Sequence, residues 1–180
     1  MITSLTQLEL TIFRYIQATN RFPISVKNFI PLINNYKGDD WKQITQLIEN
    51  TTDATTKNTD TYKKFLLPSY ISYNKYFDRF IICWPPGFAS PIHNHADNGC
   101  CLKILQGSLL ETRYQYTPTT HNNYNNTSPF QLLQETTLLT NDISYLDNSI
   151  GLHSIANPGT NWAVSLHVYS PQNFTTTYYN

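Results

Sequence analysis

From Tyr62 onward the sequence breaks into short runs of β-branched and aromatic residues separated by Pro, Gly and Asn: KKFLLPSY, RFIICW, CCLKILQGSLLETRYQY, QLLQETTLLT, SIGLHSIAN and WAVSLHVYS. Short β-prone runs at regular spacing, each closed by turn residues, form the pattern of a β-sandwich or small β-barrel. The first third follows a different period. LTQLELTIFRYIQ sets Leu8, Leu10, Ile12, Phe13 and Ile16 near a 3.6-residue stripe, with Ser4 or Thr6 placed to cap it, which predicts a helix. A second helical stretch follows Pro23 in ISVKNFIPLINNY, where Pro31 is expected to break or kink it. A third starts at DDWKQITQLIEN with Asp39 or Asp40 as cap. The polar stretch NTTDATTKNT then marks the change from helix to sheet. The expected architecture is mainly β, a barrel of residues 59–180 behind a helical cap of residues 1–58, all within one domain.

Composition narrows the function. The 180 residues carry 12 basic and 12 acidic side chains, for a formal net charge of zero, so the electrostatic footprint of nucleic-acid binding is absent. No stretch has the apolar length of a membrane span, and MITSLTQLEL lacks the basic start and apolar run of a signal peptide. The expectation is a cytoplasmic protein without a membrane partner, and a monomer. Three cysteines, two of them adjacent, make no disulfide framework and are expected as thiols in a reducing cytosol. The segment TPTTHNNYNNTS reads as a solvated loop, and His121 within it is given no role.

The chemistry concentrates in PIHNHADNGCCLKILQG. His93 and His95, one residue apart, share one face if this stretch is a strand, because strand side chains alternate with period two. Two imidazoles side by side are metal-ligand geometry. The spacing Gly87, five residues, His93, one residue, His95, four residues, Cys100, six residues, Gly107 resembles the first metal-binding motif of cupin barrels, with Cys100 where many cupins place a glutamate. A second motif should add a histidine from a later strand, and SIGLHSIAN offers His153. Three neutral imidazoles leave a divalent metal its full charge, so an anionic ligand such as a thiolate can take an open position. Cys100 itself has three readings: buried strand filler, a thiolate ligand, or one half of a covalent link to a tyrosine. Cys101 faces the other way along the strand, and Cys83 is assigned to packing.

Over Tyr62 to Tyr169 the chain resembles cysteine dioxygenase, a mononuclear iron cupin, through CWPPGFASPIHNH, CCLKILQGSLLET, DNSIGLH and SLHVYSP. The resemblance implies a jelly-roll-like cupin barrel in which His93, His95 and His153 hold Fe(II). It also implies that Cys100 is joined to Tyr169 by a thioether, and that Ser165, His167 and Tyr169 form a hydrogen-bonded series. Two-residue spacing independently places those three on one strand face. The chain departs from the family at Asn94, where members commonly have Asp, and at Gly99, where they have His. It also lacks the Tyr-x-Arg that anchors a substrate carboxylate. Tyr62-Lys63-Lys64 is the nearest match and makes Lys64 the cation with Tyr62 beside it; Tyr73-Asn74-Lys75 and Arg79 are the other candidates. A lysine keeps the charge but loses the bidentate fork. Ile82 and Trp84 are expected on the substrate side. The implied reaction adds both atoms of O2 to the sulfur of a small thiol, L-cysteine by resemblance. The alternatives are 3-mercaptopropionate, cysteamine, or metal binding without catalysis.

Overall fold

In the computed structural model, which describes residues 1–51, 61–72, 74–117 and 128–179, the helices come first. Ser4 accepts a hydrogen bond from Gln7 N and opens α1 (Leu5–Thr19), and Asn20, in the left-handed conformation, closes it. A single 3-10 turn (Val26–Phe29) runs directly into α2 (Ile30–Asn35). Pro31 therefore sits in the first turn of a helix, where its missing N–H would be unpaired anyway, and it starts an element instead of kinking one. The next helix, α3, spans Trp41–Thr51. Asp40 precedes it, but its carboxylate accepts from Leu5 N at 2.8 Å and from the Tyr36 hydroxyl at 2.6 Å. The expected cap thus ties the start of α1 to the segment after α2. Beyond Asn50 and Thr51, NTTDATTKNT lies outside the described residues, as does TPTTHNNYNNTS with His121 between its first and last residues.

Among the described residues ten strands follow: β1 (Lys63–Leu66), β2 (Asp78–Trp84), β3 (Ile92–His93), β4 (Cys100–Gln106), β5 (Ser108–Tyr116), β6 (Phe130–Leu139), β7 (Ile143–Leu146), β8 (Leu152–Ala156), β9 (Ala163–Tyr169) and β10 (Tyr178–Tyr179). They form two antiparallel five-stranded sheets, in the orders β1-β2-β9-β4-β7 and β10-β3-β8-β5-β6. Each of the six β-prone runs contributes to a strand. Strands β3, β7 and β10 are too short to leave a periodic signal, and their place is set by the neighbours they pair with.

Period-two alternation in β2 and β9 builds two cores from one sheet. Ile81, Cys83, Val164, Leu166 and Val168 turn outward to meet Leu8, Ile12, Phe29 and Ile33 of the helical segment. Ile82, Trp84 and Ala163 turn inward and pack with Leu102, Ile104, Leu109 and Ile155 between the sheets. All seven residues of β9 are buried, as suits a central strand covered on both faces. Lys103 on β4 points to the helices. Its ammonium donates to the carbonyls of Ile33, Asn34 and Tyr36 at 3.2, 3.0 and 2.7 Å, satisfying the C-terminal end of α2. Among the described residues no helix is long and apolar enough to cross a membrane.

Candidate metal centre and substrate pocket

Strand β3 ends at His93, so the two histidines do not share one strand as the sequence predicts. His95 lies in the following loop, where its backbone N–H donates to Asn148 Oδ1 at 3.0 Å. Loop and strand still deliver both rings to one place. His93 pairs across the sheet with His153 of β8, and the three ring centroids lie 4.4 to 5.3 Å apart. Each of His93, His95 and His153 offers a nitrogen, and these atoms all lie within 4.8 Å of one another; Cys100 is not part of the cluster.

The hydrogen bonds behind the rings show what the cluster fits. His93 Nδ1 donates to the Pro91 carbonyl at 2.9 Å, and His153 Nδ1 donates to Glu111 Oε1 at 2.8 Å. A carbonyl and a carboxylate can only accept, so the proton of each neutral ring resides on Nδ1 and each Nε2 presents a lone pair. Those two Nε2 atoms face each other at 3.2 Å. Burial is the first cause that lowers the pKa of all three histidines, well below the ordinary range for His95 and His153, and neighbouring positive groups lower them further. Neutral rings with facing lone pairs repel each other unless a cation lies between them. Nitrogens about 2.1 Å from a shared ion can stand at this separation. His95 Nδ1 is in addition buried without a hydrogen-bond partner. The three residues fit a divalent metal.

Glu111 was not legible as a site residue. It is 2 % exposed on β5, and besides His153 it accepts from the Ser144 hydroxyl at 2.7 Å and from Arg113 at 3.0 Å. The carboxylate that the cupin spacing lacks at Cys100 is thus present one residue behind a histidine. Only strand order, which sets β8 beside β5 with Glu111 opposite Ile155 and Arg113 opposite His153, brings it there.

On the open side of the cluster is a narrow cavity that opens to solvent. Tyr62, Lys64, Ile82 and Trp84, all expected there from the sequence, line it together with His93, His153, His167 and Tyr169. Tyr178, Thr176 and Ser90 join them without having been anticipated. Tyr178 arrives on β10, where Asn94 holds the adjacent residue: Thr177 N donates to Asn94 Oδ1 at 2.8 Å. Its hydroxyl meets that of Tyr62 at 3.1 Å across the cavity, and burial, followed by this contact, pushes Tyr62 up to about 12. Lys64 is the one cation among the described lining residues. Its ammonium lies 4.0 Å over the Phe80 ring and 5.1 Å over that of Tyr169, and desolvation lowers its pKa. Arg79 is not an anchor: its guanidinium pairs with the fully buried Glu9 at 2.8 Å and donates to the carbonyls of Leu5 and Pro68. Lys75 is exposed and away from the cavity, and Tyr73 lies outside the described residues.

Behind the wall runs a polar chain. The Trp84 indole N–H donates to Ser165 Oγ at 2.8 Å, Ser165 Oγ meets His167 Nε2 at 2.8 Å, and His167 Nδ1 meets the Tyr169 hydroxyl at 3.3 Å. Burial, then Lys64, holds His167 well below its ordinary pKa. Cys100 stands directly opposite Tyr169 in the β4–β9 register, with its sulfur 3.9 Å from His167 Nδ1. Burial pushes the Cys100 thiol up to about 12 and the Tyr169 phenol well above its ordinary value, so both are protonated near neutrality. Cys101 packs on the helix side of the sheet with Cys83.

Fold and site together define a cupin with a three-histidine metal-binding cluster. A mutant of Bacillus subtilis oxalate decarboxylase superposes with a TM-score of 0.51 at 13% identity, covering 66% of this chain and 28% of that one, a likeness of fold alone. The family model described as cysteine dioxygenase type I matches residues 69–180, and the chain belongs to that family. Cysteine dioxygenase type 1 of Rattus norvegicus is 42% identical over 99 residues, 54% of this chain and 46% of that protein. The Homo sapiens and Danio rerio proteins are 40% and 39% identical over the same length. The chain thus matches about half the length of these curated relatives.

Proposed function

We propose that this protein is an iron-dependent thiol dioxygenase that converts L-cysteine, or a closely related mercapto acid, to its sulfinate. The observation that carries this reading is one small cavity bounded by a cluster of neutral imidazoles, a cation and a hydrogen-bonded phenol. His93, His95 and His153 would hold Fe(II), which would bring a thiolate and dioxygen together and pass both oxygen atoms to sulfur. R–SH plus O2 becomes R–SO2H, and no external reductant is needed.

The chain's own groups do the rest. Lys64 gives the substrate carboxylate a point charge in a partly desolvated setting, where an ion pair is stronger than in water. Tyr169, held through His167 and Ser165 by the indole N–H of Trp84, keeps its proton and presents a fixed donor to the cavity. Ile82 and Ile155 exclude water beside the histidines. Cys100 and Tyr169 are placed to form the thioether that the family resemblance implies, with loss of one hydrogen from sulfur and one from the ring to dioxygen as oxidant. Such a bond would immobilise the phenol and withdraw the sulfur from competition for the metal. Three buried, unpaired thiols and a balanced charge suit a monomeric enzyme of the cytoplasm.

The test is anaerobic loading with Fe(II), addition of L-cysteine and air, and mass spectrometry of the product, with 3-mercaptopropionate and cysteamine in parallel. A gain of two oxygens on cysteine is the expected result. Product from a thiol lacking the amine or the carboxylate, and none from cysteine, would move the substrate to that thiol. No oxygen uptake with any of the three thiols would leave a metal-binding cupin without this activity.

A further inference from the structure

The three imidazoles are neutral, yet one of them is backed by an ion pair between the buried Glu111 carboxylate and the partly exposed Arg113. His153 Nδ1 donates to Glu111 Oε1 at 2.8 Å, while the Arg113 guanidinium reaches the other oxygen, Oε2, at 3.0 Å. Ser144 completes the set: it accepts from Arg113 at 2.9 Å and donates to the carboxylate. Three hydrogen-bonding groups from β5, β7 and β8 thereby hold the carboxylate against His153.

We propose that Glu111 and Arg113 form an opposed pair of positioning residues that sets how tightly the cluster holds a divalent metal, Glu111 strengthening the hold and Arg113 weakening it. The carboxylate is bonded to the ligand ring itself and makes that imidazole a better electron donor. The guanidinium stands one group further back, on the far oxygen, and draws part of the carboxylate's charge away from the ring. The nearer charge dominates, so the pair as a whole favours the cation. Neither residue lines the cavity, and the carboxylate reaches the cluster through its hydrogen bond to His153.

Glu111→Gln and Arg113→Gln separate charge from scaffolding. A glutamine carbonyl at 111 still accepts from His153 Nδ1–H, so the ring keeps its orientation while the negative charge is lost. Affinity for Co(II) and Zn(II) is measured by competition with a chromophoric chelator, which depends on neither thiol nor oxygen. Glu111→Gln is expected to weaken binding by roughly 10–100-fold, and Arg113→Gln to tighten it. The midpoint potential of the iron-loaded protein should move in opposite directions in the two variants, upward for Glu111→Gln and downward for Arg113→Gln. Equal weakening by both, or a Glu111→Gln affinity within twofold of wild type, would overturn the proposal and leave the pair as scaffolding. If Arg113→Gln does not fold, Arg113→Lys keeps the charge and is expected to match wild type; a large loss there has the same overturning force. A wild-type protein that takes up neither metal defeats the metal centre itself, a distinct outcome from unequal variants on a competent site.

Discussion

Lys64 is the cation in the cavity wall and the proposed contact of a substrate carboxylate. Its ammonium is a single point of charge held over two aromatic rings, without the bidentate fork of an arginine. Lys64→Met should raise the KM for thiols bearing a carboxylate by roughly 10–100-fold, the value of one charge-assisted hydrogen bond, and leave cysteamine turnover little changed. Steady-state kinetics on the three thiols checks it. Cys100 and Tyr169 give a second outcome at this scale. Intact-mass measurement after turnover should show part of the wild-type protein two hydrogens lighter, whereas Cys100→Ser should keep its full mass under the same conditions. Position 99 leaves no room for a side chain. Its φ is +91°, and a Cβ would come within 2.5 Å of the Tyr145 ring. Tyr145 occupies that space to reach Asp147 at 2.6 Å and Ser25 at 2.9 Å. Gly99→Ala should cost about 1–3 kcal/mol in denaturant unfolding, through backbone strain and the displaced ring.

Among the elements, β9 and β4 carry both the site and the attachment of the helices. One face of β9 holds Ser165, His167 and Tyr169 in a chain of hydrogen bonds, and the other packs against α1 and the segment around α2. On β4, Lys103 fastens α2 by donating to three carbonyls at and just beyond its C-terminal end. Lys103→Met removes all three bonds in a buried setting, and a loss of about 2–4 kcal/mol is expected. Unfolding should then show a lowered midpoint with metal affinity unchanged, because the helices touch no ligand. A fall in both would mean that the helical segment also shapes the cavity.

For the whole molecule, acid is the expected weakness of the metal-free protein. His93, His95, His153 and His167 all have folded pKa values below the ordinary 6.5, chiefly through burial. The unfolded chain therefore binds protons that the folded chain refuses once the pH falls below 6.5. Their neutral-state contribution is present above that value and is lost on acidification, with a slope approaching about 1.4 kcal/mol per pH unit for each histidine. Urea unfolding of the metal-free protein at pH 7.5, 6.5 and 5.5 should show stability falling slightly from the first to the second and steeply to the third. A flat profile would mean that the histidines titrate normally in the folded state.

The sequence alone determined the strand runs, the first helix with its Ser4 cap, the histidines of the cluster, and the Ser165, His167, Tyr169 series, because each is written in a local period or spacing that survives without knowledge of neighbours. Substrate-side positions Tyr62, Lys64, Ile82 and Trp84 were legible through resemblance, and the cavity does gather them. Tertiary structure decided what depends on distant segments meeting. Arg79 became a buried partner of Glu9, since α1 covers that face of β2. Glu111 came to stand behind His153, since β5 pairs with β8. Tyr178 closed the cavity from a two-residue strand with no signal of its own. Alternation and ligand spacing are properties of neighbours along the chain, whereas the partner of a buried charge is chosen by strand order, which no single segment encodes.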